Sequence, residues 1–228
     1  MVNIAFATST RAEYGLLKSL ILEISKNKNF NMMLLVTGTH LSKEYGMTIN
    51  EIKRDNLEVF KEIKTLEKKN SARGVSKTMS NTIKKFSKAF EDNKIDLLIL
   101  LGDRYEVLCI AIVANLYNIP IAHIHGGEVT QGSLDDRFRH SITKMSDFHF
   151  TSAKEHSKRV IQLGEDPNKV FNVGAIGIDN IKNYKLLSKK ELKKIYNFNF
   201  EKPYFLVTIH PDSTDIANVD SDFNFLLK

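Results

Sequence analysis

Short runs of apolar residues alternate with segments of helical periodicity along most of this 228-residue chain. The runs are continuous, as in parallel strands that are buried on both faces. They cover residues 3–7, 32–36, 97–101, 119–124 and 148–151, with a weaker run at 57–63. Helices are predicted between them at 11–26, 71–93, 106–117, 138–145 and 155–163. This order predicts an α/β fold, a Rossmann-like parallel sheet with helices on both faces.

The C-terminal part of the chain begins a different pattern. Ser188 and Glu191 have the spacing of a capping box, which predicts a helix over 188–196. A new apolar run then predicts a buried strand over 203–209. We therefore expect residues 1–185 to form an N-terminal Rossmann-like domain and residues 186–228 to be the beginning of a second, truncated domain.

Composition excludes several classes of function. The net charge is +6, but the basic residues form no concentrated stripe with interleaved aromatic residues, which argues against nucleic-acid binding. A mild positive field favours a negatively charged small molecule instead. The chain has a single cysteine, no signal-peptide pattern and no apolar run of the roughly 20 residues that span a bilayer. We therefore expect a cytoplasmic protein with no membrane partner.

Titratable residues are concentrated after two of the predicted strands and before the helix that follows. The segments are Leu-Gly-Asp-Arg at 101–104, Ile-Ala-His-Ile-His-Gly-Gly-Glu at 121–128 and Asp-Asp-Arg-Phe-Arg-His at 135–140. Parallel α/β proteins bind ligands at the carboxyl ends of their strands. The segments therefore predict an enzyme site for an anionic substrate. No G-x-G-x-x-G follows the first strand, which argues against a dinucleotide, and we predict no cofactor.

Several residues near these strand ends have two interpretations. Thr10 and Glu13 have capping-box spacing, and Arg11 in the first turn of that helix either grips an anion or extends into solvent. Asp103 either caps the next helix or acts as a general base or a sugar-hydroxyl acceptor. In the second case Arg104 is a phosphate contact.

The His-x-His pair near the end of the fourth long strand also has alternatives. Strand alternation puts His123 and His125 on one face, as a metal site requires, but nothing sets the spacing of further ligands and we predict no metal. A structural hydrogen bond is the other interpretation of His123. Either His125 or Glu128 is a candidate acid or base, and the glycines at 126–127 bring the backbone close to a ligand.

Asp135 and Asp136 are adjacent, so their side chains cannot both point the same way. We expect at most one of them to reach the crevice, while the other caps the helix. The alternative for the whole segment is a charged, capped first turn of the helix predicted at 138–145.

Together these motifs resemble the UDP-N-acetylglucosamine 2-epimerase family, and most closely its hydrolysing branch, which feeds sialic acid and related nonulosonic acid synthesis. The matching segments are TRAEY (10–14), VTGTHL (36–41), LGDR (101–104), HIHGGE (123–128), DDxxRHSITK (135–144), VGAIG (173–177) and HP (210–211). Non-hydrolysing relatives carry Glu-Ala-Gly where this chain has His-Gly-Gly-Glu. The resemblance implies the N-terminal half of a two-domain, glycosyltransferase-B-like fold.

The resemblance also implies a reaction and its residues. A base removes the C2 proton of a UDP-N-acetylhexosamine as UDP leaves, and water then adds to the unsaturated sugar to give N-acetylmannosamine. The implied catalytic residues are Asp103, His125, Glu128 and Asp135. The implied substrate-binding residues are Arg11, Glu13, His40, Arg104, Asp136, Arg139, His140 and His210. Many hydrolysing members have glutamate in place of His125, so the acid–base role stays open between His125 and Glu128.

Other functions stay open at this point. The chain is alternatively half of a glycosyltransferase, or a non-catalytic nucleotide-sugar-binding fragment or dimerisation module. The substrate is alternatively a diacetamido-trideoxy sugar, or a sugar carried by GDP. Members of the family are commonly dimers or tetramers, so the resemblance implies a homo-oligomer.

Overall fold

The structure is a computed structural model that describes residues 1–67, 71–183, 186–208 and 219–226. It divides into two compact units, Met1–Asn180 and Ile181–Lys228. None of the described helices has the length and apolar character needed to cross a membrane.

The first unit alternates strands and helices. Its strands are β1 (Val2–Thr8), β2 (Phe30–Thr37), β3 (Lys61–Ile63), β4 (Leu97–Leu101), β5 (Ile121–Ile124), β6 (Phe148–Thr151) and β7 (Val170–Asn172). Its helices are α1 (Arg11–Lys26), α2 (Ile49–Arg54), α3 (Ala72–Glu91), α4 (Tyr105–Leu116), α5 (Leu134–Lys144) and α6 (Lys154–Gln162), and α7 (Gly177–Asn183) starts at its end. Short 3-10 turns occupy Gly38–Leu41 and Pro167–Lys169.

These strands form one parallel sheet in the order β3-β2-β1-β4-β5-β6-β7. The chain runs outward from β1 through β2 and β3, then returns to the other side of β1 at β4. The strand order therefore reverses between β1 and β4, which is where open α/β sheets form a ligand crevice.

Successive residues of the central strands enter two separate cores, because side chains alternate between the faces of a strand. Helices α3, α4 and α5 cover one face, and α1 and α2 cover the other. The first core includes Ala5, Leu35, Phe86, Leu98, Ile110 and Ile142. The second includes Phe6, Leu17, Leu34, Ile52 and Ile99. Helices on both faces and a parallel sheet confirm the predicted α/β class.

The capping box of Thr10 and Glu13 begins α1 as predicted, with both reciprocal hydrogen bonds present. Two predictions for the first unit need correction. Helix α5 begins at Leu134 rather than at residue 138, because the Ser133 hydroxyl caps it by accepting from the backbone N–H of Asp135. The weak strand predicted over 57–63 is reduced to β3, since only its last three residues pair with β2.

The described part of the second unit contains α8 (Lys189–Tyr196) and α9 (Val219–Leu226). Ser188 and Glu191 form the predicted capping box of α8. Phe198, Phe200 and Tyr204 contact one another edge to face. The strand predicted over 203–209 is wrong for residues 203–208, which pair with no strand among the described residues. Apolar content alone does not make a strand, because its backbone needs a hydrogen-bonded neighbour.

Candidate active site

The candidate site lies at the carboxyl ends of β1, β4 and β5, beside the reversal of strand order. Three polar loops begin there, after Thr8, Leu101 and Ile124. The amino-terminal end of α5 adds a fourth group of polar side chains. The predicted acid–base residues therefore come from separate segments of the chain that the sheet brings to one edge.

Asp103 pairs with an arginine and does not cap the next helix. Arg104 is the N-cap residue of α4 and its side chain makes no cap, so the predicted capping role of Asp103 is wrong. The Asp103 carboxylate instead accepts a hydrogen bond from Nη2 of Arg139. A charged pair of this kind is stronger than a hydrogen bond between neutral groups.

Arg139 joins three parts of the site. It is only 5% exposed. Nη1 donates to the carbonyl oxygen of Glu128 at 3.0 Å and to Oδ1 of Asp136 at 3.2 Å. Nη2 donates to Oγ1 of Thr130 at 3.2 Å and to Asp103. Because protein acceptors already use both terminal nitrogens, this placement favours a positioning role over the predicted contact with substrate.

The two adjacent aspartates make different contacts, and the capping role expected for one of them is wrong. Oδ1 of Asp136 accepts from the backbone N–H of Thr130 at 2.9 Å, so this carboxylate belongs to the loop before α5. Asp135 lies close enough to Asp103 for the two carboxylates to repel each other. Burial, and then the charge of Asp103, raise the pKa of Asp135 above its ordinary value. Neither aspartate is the N-cap, because Ser133 fills that position.

His125 follows β5 in a strained conformation. Its φ is +64°, a region that non-glycine residues seldom adopt and that is enriched at functional sites. Its Nδ1 lies 3.2 Å from Oε1 of Glu128, while Nε2 is buried and has no partner among the described residues. Burial lowers the pKa of His125, and the nearby Glu128 acts in the opposite direction.

Two residues that the sequence analysis missed complete this cluster. Ser152 donates its hydroxyl to Oε1 of Glu128 at 2.5 Å, and its Oγ lies 2.9 Å from Nδ1 of His156. The same His156 nitrogen is 4.0 Å from Oε1 of Glu128. The available signal was the position of Ser152 directly after β6, the next strand in the sheet.

His123 has a structural role. It is fully buried, with Nε2 2.8 Å from the carbonyl oxygen of Gly102 and Nδ1 3.2 Å from Oγ1 of Thr143. A carbonyl only accepts, so Nε2 carries the proton. Within the described ranges, no three histidine, cysteine or acidic side chains are grouped as metal ligands.

The two glycines after His125 serve helix packing. A Cβ on Gly126 would lie 3.0 Å from Nδ1 of His123. Gly127 has a φ of +78°, and a Cβ there would overlap the carbonyl oxygen of His156 and come within 2.8 Å of Cγ2 of Val160. These contacts with α6 and the core explain both glycines without the close ligand approach predicted from the sequence.

Arg104 is held in place by a buried acid. Its Nε and Nη2 lie 3.1 and 3.2 Å from the two oxygens of Glu106, which is fully buried. Arg104 keeps about a third of its side chain exposed, at 36%, and lines a cavity of about 430 Å³. Glu13 is buried 3.9 Å from Arg104 and accepts hydrogen bonds from Ser9. Burial raises the pKa of Glu13 to about 7.

The other predicted binding residues are placed differently from one another. Arg11 is exposed and pairs with Glu51 at 2.9 Å, which leaves it able to rearrange toward solvent or a ligand. His40 is fully buried, with its ring nitrogens 3.2 Å from Oγ1 of Thr8 and 2.8 Å from Oγ1 of Thr48. Its placement favours support of the β1 end over direct contact with substrate.

His140 and His210 complete the predicted set. His140 extends toward Asp136, with 3.7 Å between Nε2 and Oδ2, and its buried Nδ1 has no partner within the described residues. His210 lies outside the described residues.

Comparison with known sequences supports the resemblance. The family model described as "UDP-N-acetylglucosamine 2-epimerase" matches residues 22–226. A "GDP/UDP-N,N'-diacetylbacillosamine 2-epimerase (hydrolyzing)" of Campylobacter jejuni is 41% identical over 99% of this chain and 59% of its own length. "Polysialic acid biosynthesis protein P7" of Escherichia coli is 40% identical over 100% of this chain and 58% of its own length. A "UDP-N,N'-diacetylbacillosamine 2-epimerase (hydrolyzing)" of Legionella pneumophila is 33% identical over 99% and 60%, respectively.

The chain spans less than two thirds of the length of each of these relatives. Among solved structures, a UDP-GlcNAc 2-epimerase from Neisseria meningitidis bound to UDP-GlcNAc aligns with a TM-score of 0.71 at 20% identity, over 86% of this chain and 51% of that one. The lipopolysaccharide outer core galactosyltransferase WaaB aligns with a TM-score of 0.52 at 13% identity, over 76% and 45%. These likenesses concern the fold, and they confirm half of a glycosyltransferase-B-like architecture.

Proposed function

The chain belongs to the UDP-N-acetylglucosamine 2-epimerase family, and from this premise we propose that the full-length protein is a hydrolysing 2-epimerase of a nucleotide-linked acetamido sugar. Two substrates are candidates: UDP-N-acetylglucosamine, and a diacetamido-trideoxy sugar carried by UDP or GDP. The activities for which the relatives at 41% and 33% identity are named favour the second. We also propose that the full-length protein is cytoplasmic and forms a homo-oligomer.

The proposed reaction has two steps. In the first, a base takes the proton from C2, the electron pair of the C–H bond forms a C1–C2 double bond, and the C1–O bond breaks to release the nucleoside diphosphate. In the second, an acid delivers a proton to C2 from the opposite face, the water oxygen bonds to C1, and the proton that the water loses restores the acid. The sum is hydrolysis with inversion at C2.

His125 is the proposed base of the first step. A carboxylate only accepts, so Glu128 selects the tautomer of His125 that has its proton on Nδ1. Nε2 then carries the lone pair, and this buried nitrogen has no partner in the described chain that would compete for it. The lowered pKa of His125 keeps the ring unprotonated at neutral pH. Glu128 is thereby assigned to orientation and His125 to proton transfer.

Asp135 and Asp103 take complementary parts in the proposal. Burial and the charge of Asp103 raise the pKa of Asp135, and we assign to it the role of the acid that returns a proton to C2. Asp103 is paired with Arg139 and serves as an acceptor for the sugar hydroxyls.

Arg104 is the proposed contact of the diphosphate. Glu106 holds two of its nitrogens, and Nη1 makes no hydrogen bond with the described residues. A fixed guanidinium stabilises the charge that develops as the C1–O bond breaks.

The convergence of the His125–Glu128 pair with Asp103 and Asp135 at one sheet edge is the observation that carries the proposal. We test it by incubating the full-length protein in D₂O with UDP-N-acetylglucosamine and with UDP- and GDP-linked diacetylbacillosamine. We expect one of them to give free sugar with inverted C2 and deuterium at C2. A glycosyltransferase would transfer sugar without this deuterium, and a binding module would release none. Asp103→Asn is expected to abolish turnover, and full activity in that variant would contradict the assignment.

A further inference from the structure

A polar cluster on the side of Glu128 that faces α6 is not used by the proposed chemistry. It consists of Ser152, which lies between β6 and α6, and His156 in the first turn of α6. We propose that Ser152 and His156 are positioning residues that fix the Glu128 carboxylate and, through it, the imidazole of His125. This inference rests on the proposed function, because its purpose is to orient the proton-transfer group.

The Ser152 hydroxyl is directed at Glu128 although a helix start is next to it. Serine at such a position commonly caps the helix. Here the N-cap residue is Ala153, and α6 has no side-chain cap. The hydroxyl is instead 2.5 Å from Oε1 of Glu128, which is the shorter end of the range for an O–H donor on a carboxylate.

His156 gives this hydrogen bond a direction. The Ser152 proton goes to the carboxylate, so Ser152 Oγ accepts at 2.9 Å from Nδ1–H of His156. Nδ1 of His125 lies 3.2 Å from the same Oε1, at the distance of a charge pair. Two hydrogen bonds therefore join His156, Ser152 and Glu128, and the Glu128 carboxylate is in turn in contact with His125.

The contacts of Glu128 are unevenly shared between its oxygens. Those with Ser152, His125 and His156 all involve Oε1, and Oε2 makes no hydrogen bond with the described residues. Anchoring by Ser152 therefore removes rotation of the carboxylate, and with it the alternative tautomer of His125. The charged and titratable groups that act on His125 are Glu128, His156, Arg139 and Asp103.

Contacts with the backbone of Gly127 hold α6 against the loop that carries Glu128. Arg159 on α6 donates from Nη1 to the carbonyl oxygen of Gly127. Gly127 itself packs against the backbone of His156. Ser152 and His156 are therefore fixed relative to Glu128 by contacts outside the hydrogen-bonded chain, as an effective positioning shell requires.

The decisive experiment compares variants of the full-length protein in steady-state turnover. Ser152→Ala and His156→Leu are expected to lower kcat by about 10- to 100-fold while KM changes by less than about twofold, as for other residues that orient a reacting group. Ser152→Thr and His156→Asn keep a hydroxyl and an N–H donor, so they are expected to recover most of the loss. Ser157→Ala is the matched control, since the Ser157 hydroxyl pairs with Thr151 and with the Ala153 carbonyl oxygen instead of Glu128.

A second readout is independent of turnover. The ¹⁵N spectrum of the His125 ring reports its tautomer, and we expect the Nδ1–H signature to be lost or mixed in Ser152→Ala but retained in Ser157→Ala. If kcat and this signature both stay at wild-type values in Ser152→Ala, the positioning role is wrong. If the wild-type protein releases sugar from none of the nucleotide sugars, the proposed function fails, and the ring spectrum alone then decides the positioning role.

Discussion

Gly127 is the position where the packing of the candidate site can be tested most directly. It combines a φ of +78° with a backbone of α6 so close that a Cβ would overlap the His156 carbonyl oxygen. Gly174 has nearly the same φ, +84°, but a Cβ there meets nothing within 4 Å. The pair Gly127→Ala and Gly174→Ala therefore separates steric contact from backbone strain.

The magnitudes follow from these two causes. A left-handed conformation costs an alanine about 1–2 kcal/mol, and the loss of glycine's freedom in the unfolded chain returns about 0.4–1 kcal/mol. Gly174→Ala is thus expected to destabilise by about 1 kcal/mol. Gly127→Ala adds the displacement of α6, for which overpacking costs about 1–3 kcal/mol. Its total destabilisation is expected to be about 2–4 kcal/mol.

Urea unfolding followed by circular dichroism measures both variants against wild type. We expect the midpoint of Gly127→Ala to fall by about 1 M more than that of Gly174→Ala, if the slope is near 2–3 kcal/mol per molar. Equal midpoints for the two variants would refute the close approach of α6 to Gly127. Equal midpoints would also contradict the packing of α6 against Gly127 that we use to explain how Ser152 and His156 are fixed relative to Glu128.

Two further predictions concern buried charge. Arg139→Met leaves Asp103 and Asp136 without their charged partner and is expected to reduce the free energy of unfolding by about 3 kcal/mol. Arg137→Met is the control, because Arg137 is exposed on the same helix, and it is expected to change the free energy of unfolding by less than about 0.5 kcal/mol. Equal losses for the two variants in urea titrations would contradict the role of Arg139 as the shared partner of these aspartates. Burial raises the pKa of Glu13 from 4.5 to about 7, so the folded state holds this proton more tightly than the unfolded chain does. The resulting contribution to the free energy of unfolding is fully present below pH 4.5 and is lost as the pH rises to about 7. Relative to Glu13→Gln, wild type is expected to lose about 3 kcal/mol over that range, and parallel pH profiles of unfolding would contradict the burial of an ionisable carboxyl.

The elements predicted well are those whose pattern is complete within a short segment. Helix α1 has its capping box and its apolar stripe in consecutive residues, and β4 and β6 are bounded as expected. The short strands β3 and β7 carry three residues each, too few for a periodicity, and exist because a neighbouring strand pairs with them. The apolar run at 203–209 shows the converse, since its pattern is strand-like and residues 203–208 pair with nothing described.

The candidate site divides in the same way. Its residue types and their order could be read from the chain, because polar residues after buried strands must collect at one edge of a parallel sheet. The partner of each side chain could not, and Asp103 shows why. Capping is a local interaction, but the Arg139 guanidinium that replaces it arrives from 36 residues away.

The amino-acid sequence by itself therefore determined the α/β class, the family and the edge of the sheet where the candidate site lies. Only the tertiary structure decided that Arg139 pairs with Asp103, that Gly127 packs against α6, and that Ser152 and His156 lie beside Glu128. Periodicity and capping act between residues a few positions apart. Hydrogen bonds and close packing depend on distances in space, which only the folded chain sets.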